Sequence, residues 1–167
     1  MRVPFIALTL LAASLAAPAS AAQNAAQLFM ANKDIMGLIE KAKADRKDNA
    51  PLVAEPILSM APYRAQLEYR PGTSPAAVHE KDAEMMVVLQ GTGTIVTGGT
   101  VVDEKRNNAN NRGGPSIANG KSQQVGAGDM LMVPANTPHQ VIPGGGQPIV
   151  LMTLHVADPP QNWPPAN

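Results

Sequence analysis

The sequence predicts an all-β fold, a sandwich or jelly-roll barrel preceded by one amphipathic helix. Three observations predict it. Some eight short apolar runs follow one another at close intervals, separated by Gly, Pro, Asn and Asp. Only one stretch has apolar residues at helical spacing. The whole chain has 167 residues, enough for a single domain.

The elements follow in order. Met1 and Arg2 give a short positive start, and Phe5 to Ala17 form an apolar run broken only by Thr9 and Ser14. Small residues then lead through Pro18, Ala19, Ser20, Ala21 and Ala22 to Gln23, the pattern a signal peptidase reads. Residues 1–22 are therefore expected to be a cleaved secretory signal, and the mature protein to be periplasmic or secreted. The run is shorter than the roughly 20 apolar residues of a membrane span, so no stable membrane anchor is expected. Cleavage leaves 145 of the 167 residues, and loss of Arg2 leaves 12 basic against 13 acidic side chains. That balance gives no basic surplus for nucleic acid or anionic lipid.

Residues 23–50 make a helical segment. Within 32–47, Ile35, Met36, Leu38, Ile39 and Ala42 recur at helical spacing. Asn32 is expected to cap the start, Lys41, Lys43, Arg46 and Lys47 suit the C-terminal end of the dipole, and Pro51 ends it. Residues 51–157 read as the barrel, with strands over 52–60, 64–70, 85–90, 92–97, 122–125, 130–133, 139–142 and 149–156. Residues 103–120 are polar and rich in Asn and Gly, which predicts a long surface insertion. The Pro-rich tail, 158–167, is expected to be extended, with Trp163 docked on the body. Met85, Met86, Met130 and Met132 are read as core residues.

With no cysteine, disulfides and thiolate metal sites are excluded. Any metal must sit on imidazole and oxygen ligands, so His79, His139 and His155 call for explanation. Glu84 shares a strand face with Met86, Val88 and Gln90, and a carboxylate on an apolar strand is costly to bury unless paired or metal-bound. His139 follows the turn Pro134-Ala135-Asn136-Thr137-Pro138, a rigid corner that fixes its ring. An imidazole-plus-carboxylate set suits a divalent ion such as Mn, Fe, Ni or Zn.

The segments 71–91 and 128–139 resemble the paired motifs of the cupin superfamily. Glu84 precedes Gly91, and Gly128-Asp129 precedes Pro134 and His139, at that family's intervals. The resemblance implies a double-stranded β-helix with metal ligands His79, Glu84 and His139. The family's first motif brings two histidines. Counting back from Glu84, His79 takes the second position and Ala77 stands at the first. Taking His79 as the first instead would put Lys81 second and leave too short a gap to Glu84. His155, in a continuous apolar strand, is expected to be a core or interface residue rather than a ligand. Lys81, Tyr69 and Arg70 are read as solvated face residues. The resemblance further implies a homodimer using 52–60, and a small-molecule substrate or ligand. Two activities stay open: a metal-dependent lyase, isomerase or dioxygenase for a small oxygenated compound, or a non-catalytic small-ligand binder.

Overall fold

A computed structural model describes residues 26–157 of the chain. The expected signal at 1–22 and the tail with Trp163 lie outside the described residues. The helix, α1, spans Asn32–Asp45. Its cap is Ala31 rather than Asn32, with no side-chain hydrogen bond, and it ends two residues before Lys47. No helix among the described residues is long and apolar enough to cross a membrane.

Two antiparallel sheets form the body. The five-stranded sheet runs β1-β2-β13-β4-β11, with β1 at Val53–Met60, β2 at Tyr63–Arg70, β4 at Asp82–Gln90, β11 at Met130–Val133 and β13 at Ile149–Ala157. The six-stranded sheet runs β10-β5-β12-β3-β8-β7, with β3 at Ala76–His79, β5 at Thr92–Thr97, β7 at Lys105–Arg106, β8 at Asn111–Gly114, β10 at Lys121–Gly126 and β12 at His139–Pro143. A two-stranded ribbon joins β6, Thr100–Val101, to β9, Ile117–Ala118. Each of the eight expected strands is present with its ends within three residues of those expected, and β3 and β6 were missed.

The surface insertion at 103–120 is not without regular structure. It carries β7, β8 and β9, and β8 extends the six-stranded sheet beside β3. Composition hides these strands because they bury little apolar surface. At Gly114 a Cβ would overlap the Val102 carbonyl oxygen, so the close approach of these two segments requires glycine. Ala76, Val78, Val101 and partly buried Ile117 pack together between β3 and the insertion.

Alternation in β2 decides what lies inside the barrel. Ala65, Leu67 and Tyr69 face outward, yet they are buried, because α1 lays Ile39 and Ala42 over them. The other parity, Arg64, Gln66, Glu68 and Arg70, therefore points into the barrel. On β4 and β13 the inner face is apolar at one end and polar at the other: Val88 and Met86 lead to Glu84, while Ile149 and Leu151 lead to Thr153 and His155. The apolar end holds Met86, Val88, Ile95, Val133, Val141, Ile149 and Leu151 as one buried cluster. The polar end holds a cavity. The barrel is thus half core and half site.

Two further expectations are corrected here. Tyr69 and Arg70 are buried, Tyr69 beneath the helix and Arg70 against Glu68, while Lys81 is exposed as expected. Of the four methionines read as core, Met86 is fully buried, but Met130 and Met132 are exposed on β11, at the edge of its sheet.

Candidate metal centre

Four side chains from four strands meet at the polar end. Glu84 and His155 are directly paired residues of β4 and β13, so their inward side chains are neighbours. His139 opens β12, and His79 closes β3 on the facing sheet. Glu84 Oε2 lies 3.0 Å from His139 Nε2 and 3.3 Å from His79 Nε2, and His155 Nε2 lies 3.7 Å from Glu84 Oε1. The His79 ring is 5.1 Å from that of His139 and 4.7 Å from that of His155, centroid to centroid. Ligand atoms of His79, Glu84 and His155 all fall within 4.8 Å of one another.

The three residues expected to converge are brought together, and a fourth joins them. His155 is buried as expected, but it stands in the cluster rather than in a separate core. Its Nδ1 has no hydrogen-bond partner among the described residues, so it is not a satisfied core histidine. The signal for it was parity: Thr153 and His155 continue the inner face of an otherwise apolar strand. Ala77 lies opposite His139 in register and lines the cavity, leaving that stretch of wall without an imidazole.

The surroundings fix which ring nitrogen faces inward. A carbonyl oxygen can only accept, so the ring nitrogen beside it must donate. His79 Nδ1 donates to Asn111 Oδ1 at 2.8 Å, and His139 Nδ1 donates to the Thr137 backbone carbonyl at 3.2 Å. In the neutral rings both Nε2 lone pairs then aim at Glu84. Asn111 comes from the insertion, which is pinned over the site. Glu80 accepts from Arg106 at 2.9 Å and faces Arg112 Nε at 2.8 Å, and Arg112 Nη2 donates to Asn136 Oδ1 at 2.6 Å. Asn136 sits in the left-handed region at φ 59°, where asparagine is tolerated, and its amide donates to the His79 carbonyl at 2.6 Å.

Glu84 Oε2 is buried and, despite these close nitrogens, makes no hydrogen bond of acceptable geometry. A carboxylate oxygen facing two imidazole lone pairs is repulsive unless a cation or a proton stands between them. Burial alone raises the Glu84 carboxyl; it is a proton on His139 or His79 Nε2, placed between ring and carboxylate, that holds it far below the usual carboxylate range. Burial pulls His79 down, and its contacts with Glu84 and Asn111 outweigh that and leave it raised. Burial keeps His155 below its ordinary value. Two ligand atoms at right angles, each about 2.1 Å from an ion, lie about 3 Å apart. The 3.0 and 3.3 Å separations match that spacing. His79, Glu84 and His155 thus fit a single first-row divalent ion, and His139 stands 3.0 Å from the same carboxylate.

A cavity of about 220 Å³ opens beside the cluster, lined on the β2 side by Arg64, Gln66, Glu68 and Arg70.

A family model described as Cupin matches residues 52–165. Among solved structures, the chain is similar to the protein TT1209 of Thermus thermophilus, at 17% identity and a TM-score of 0.50 over 70% of this chain and 93% of that one. It is similar to a Klebsiella pneumoniae protein with a double-stranded β-helix domain, at 15% identity and a TM-score of 0.51 over 71% and 86%. The Cnp3 cupin domain of Schizosaccharomyces pombe matches at 13% identity and 0.50, over 70% and 72%. At such identities these likenesses concern the fold alone. No curated protein matches the chain closely enough to inform its function.

Proposed function

Since the chain belongs to the cupin family, we propose that its barrel holds one divalent ion (Mn, Fe, Ni or Zn) on His79, Glu84, His139 and His155, and that it serves as a metal-dependent enzyme of the lyase, isomerase or dioxygenase kind for a small oxygenated compound. The observation that carries this reading is the buried Glu84 oxygen without a hydrogen bond, faced by two imidazole nitrogens whose lone pairs point at it. His155 supplies an imidazole that the family motifs do not, and so offsets Ala77. When bound, such an ion polarises an oxygen of the compound it meets.

The rest of the chemistry is done by the chain itself. Asn111 and the Thr137 carbonyl keep protons on the outer ring nitrogens, so the inner ones stay free as ligands. Glu84 cancels one of the ion's charges. The apolar half of the barrel closes the site from behind, leaving the cavity as its approach.

A graded series tests the reading. His79→Ala, His139→Ala and His155→Ala should each abolish stoichiometric metal, measured by elemental analysis, while circular dichroism still shows a folded β protein. Asn111→Leu should weaken affinity by roughly 10- to 100-fold, as loss of an outer-shell partner does. If His155→Ala keeps its metal, three ligands suffice. If every variant matches the wild type, the site is wrong, and an inability of the wild type to take up any of the four metals would leave a non-catalytic binder.

Export and assembly complete the proposal. The leader pattern at 1–22 supports export, so N-terminal sequencing of the periplasmic protein should begin near Gln23; an intact Met1 on a cytoplasmic protein would contradict it. β1 ends the five-stranded sheet and, among the described residues, pairs beyond β2 only at the Gln27–Ser59 bridge. An open edge of this kind supports a homodimer through residues 52–60. Light scattering at micromolar concentrations should find twice the chain mass, and a monomer would argue against that contact.

A further inference from the structure

We propose that the cavity beside the cluster takes a small organic acid, with its carboxylate held by Arg64 and a second oxygen reaching the ion. The inference rests on the metal reading above and adds the substrate class.

The inward face of β2 carries four polar side chains in succession, and three of them satisfy one another. Arg70 donates to Glu68 Oε2 from Nη2 at 2.6 Å and from Nε at 2.9 Å, and to Ser74 Oγ from Nη1 at 2.6 Å. Gln66 donates to Glu68 Oε1 at 2.9 Å, and Thr153 adds a longer bond to the same oxygen. Glu68 and Arg70 therefore neutralise each other as a buried, hydrogen-bonded wall. Arg64 is the exception. Among the described residues no carboxylate lies within ion-pair distance of it, and no hydrogen bond engages its guanidinium.

Arg64 is also in the right place. It pairs in register with His155, which pairs in register with Glu84, so the three form one row across β2, β13 and β4. Neighbouring strands are about 4.8 Å apart, which puts the Arg64 backbone about 10 Å from that of Glu84. Its exposed side chain stands at the rim of the same cavity that the cluster lines.

Charge and size then define the guest. The two positive charges of the ion and that of Arg64 oppose only the Glu84 carboxylate, since Glu68 and Arg70 cancel. The wall carries an excess of about two positive charges and selects an anion. A guanidinium fork matches a carboxylate in two parallel hydrogen bonds. The cavity of about 220 Å³ holds the volume of roughly seven waters, at about 30 Å³ each. That admits a hydroxy, keto or dicarboxylic acid of two to four carbons. Gln66 keeps its amide oxygen available to accept from a hydroxyl on such a guest.

Calorimetric titration of the manganese-loaded full chain tests the inference, with lactate, malonate, the neutral amide lactamide, and inorganic phosphate as ligands. Lactate or malonate should bind, lactamide and phosphate at least tenfold more weakly. Arg64→Gln should weaken the acid by at least tenfold with metal content and melting temperature unchanged, whereas Lys81→Gln, which removes another exposed cation, should change nothing. The inference is overturned if neither acid binds, if lactamide or phosphate binds as well, or if Arg64→Gln binds like the wild type. Should the protein take up no metal, the metal reading fails by itself and the same titrations on the metal-free chain decide this one. Arg64-dependent acid binding there upholds the carboxylate site, and its absence overturns it.

Discussion

Replacing Glu84 by Gln is expected to empty the metal site and leave the metal-free barrel at least as stable as the wild type. Loss of an outer-shell partner costs about 10- to 100-fold in affinity, so loss of the only charged ligand should cost more than about 100-fold. The effect on the metal-free fold has the opposite sign. Glu84 is a buried carboxylate with an oxygen that makes no hydrogen bond, and a buried unsatisfied group costs about 1–3 kcal/mol. The Gln amide nitrogen can donate to an imidazole lone pair and relieve that cost. Thermal melts with and without added manganese or zinc separate the two effects. The wild type should gain stability on adding metal, and Glu84→Gln should gain none while melting no lower than the metal-free wild type. A variant that unfolds would make Glu84 a structural residue instead.

Arg70→Ala should bring the largest loss of fold stability, about 3–5 kcal/mol, because it strands the Glu68 carboxylate in the barrel wall. Urea denaturation measures this directly. Removing both partners together, Glu68→Leu with Arg70→Leu, should recover most of the loss, since a buried pair contributes less than its separated members cost. An Arg70→Ala loss of under about 1 kcal/mol would mean that water reaches Glu68 freely, and the wall described here would not be closed.

The fold was largely legible in the sequence because turn residues punctuate it. Each of the eight apolar runs lies between Gly, Pro, Asn or Asp clusters and became a strand. The missed strands, such as β7 and β8, are polar and gain their place by pairing, β8 with β3 and β7 with β8, rather than by burying a face. The orientation of β2 was not legible. Alternation showed two faces, polar and apolar, but α1 covers the apolar one, so the polar face turned inward. For the same reason Arg70 looked solvated and is buried. Of the site, His79, Glu84 and His139 were readable from spacing, and the structure draws them together. His155 was not, because one histidine in an apolar strand reads as core until register sets it beside Glu84. Asn111 lies 32 residues from His79 within the insertion, and no local pattern marks it.

Whether one ion is held by these four side chains is decided by anomalous diffraction from crystals of the protein loaded with manganese or zinc, recorded at the metal's absorption edge. A single strong peak is expected inside the barrel, bonded to Glu84 and to the Nε2 atoms of His79, His139 and His155 at about 2.0–2.2 Å. A barrel with no peak at that point, or a metal bound only by residues elsewhere on the chain, would contradict it.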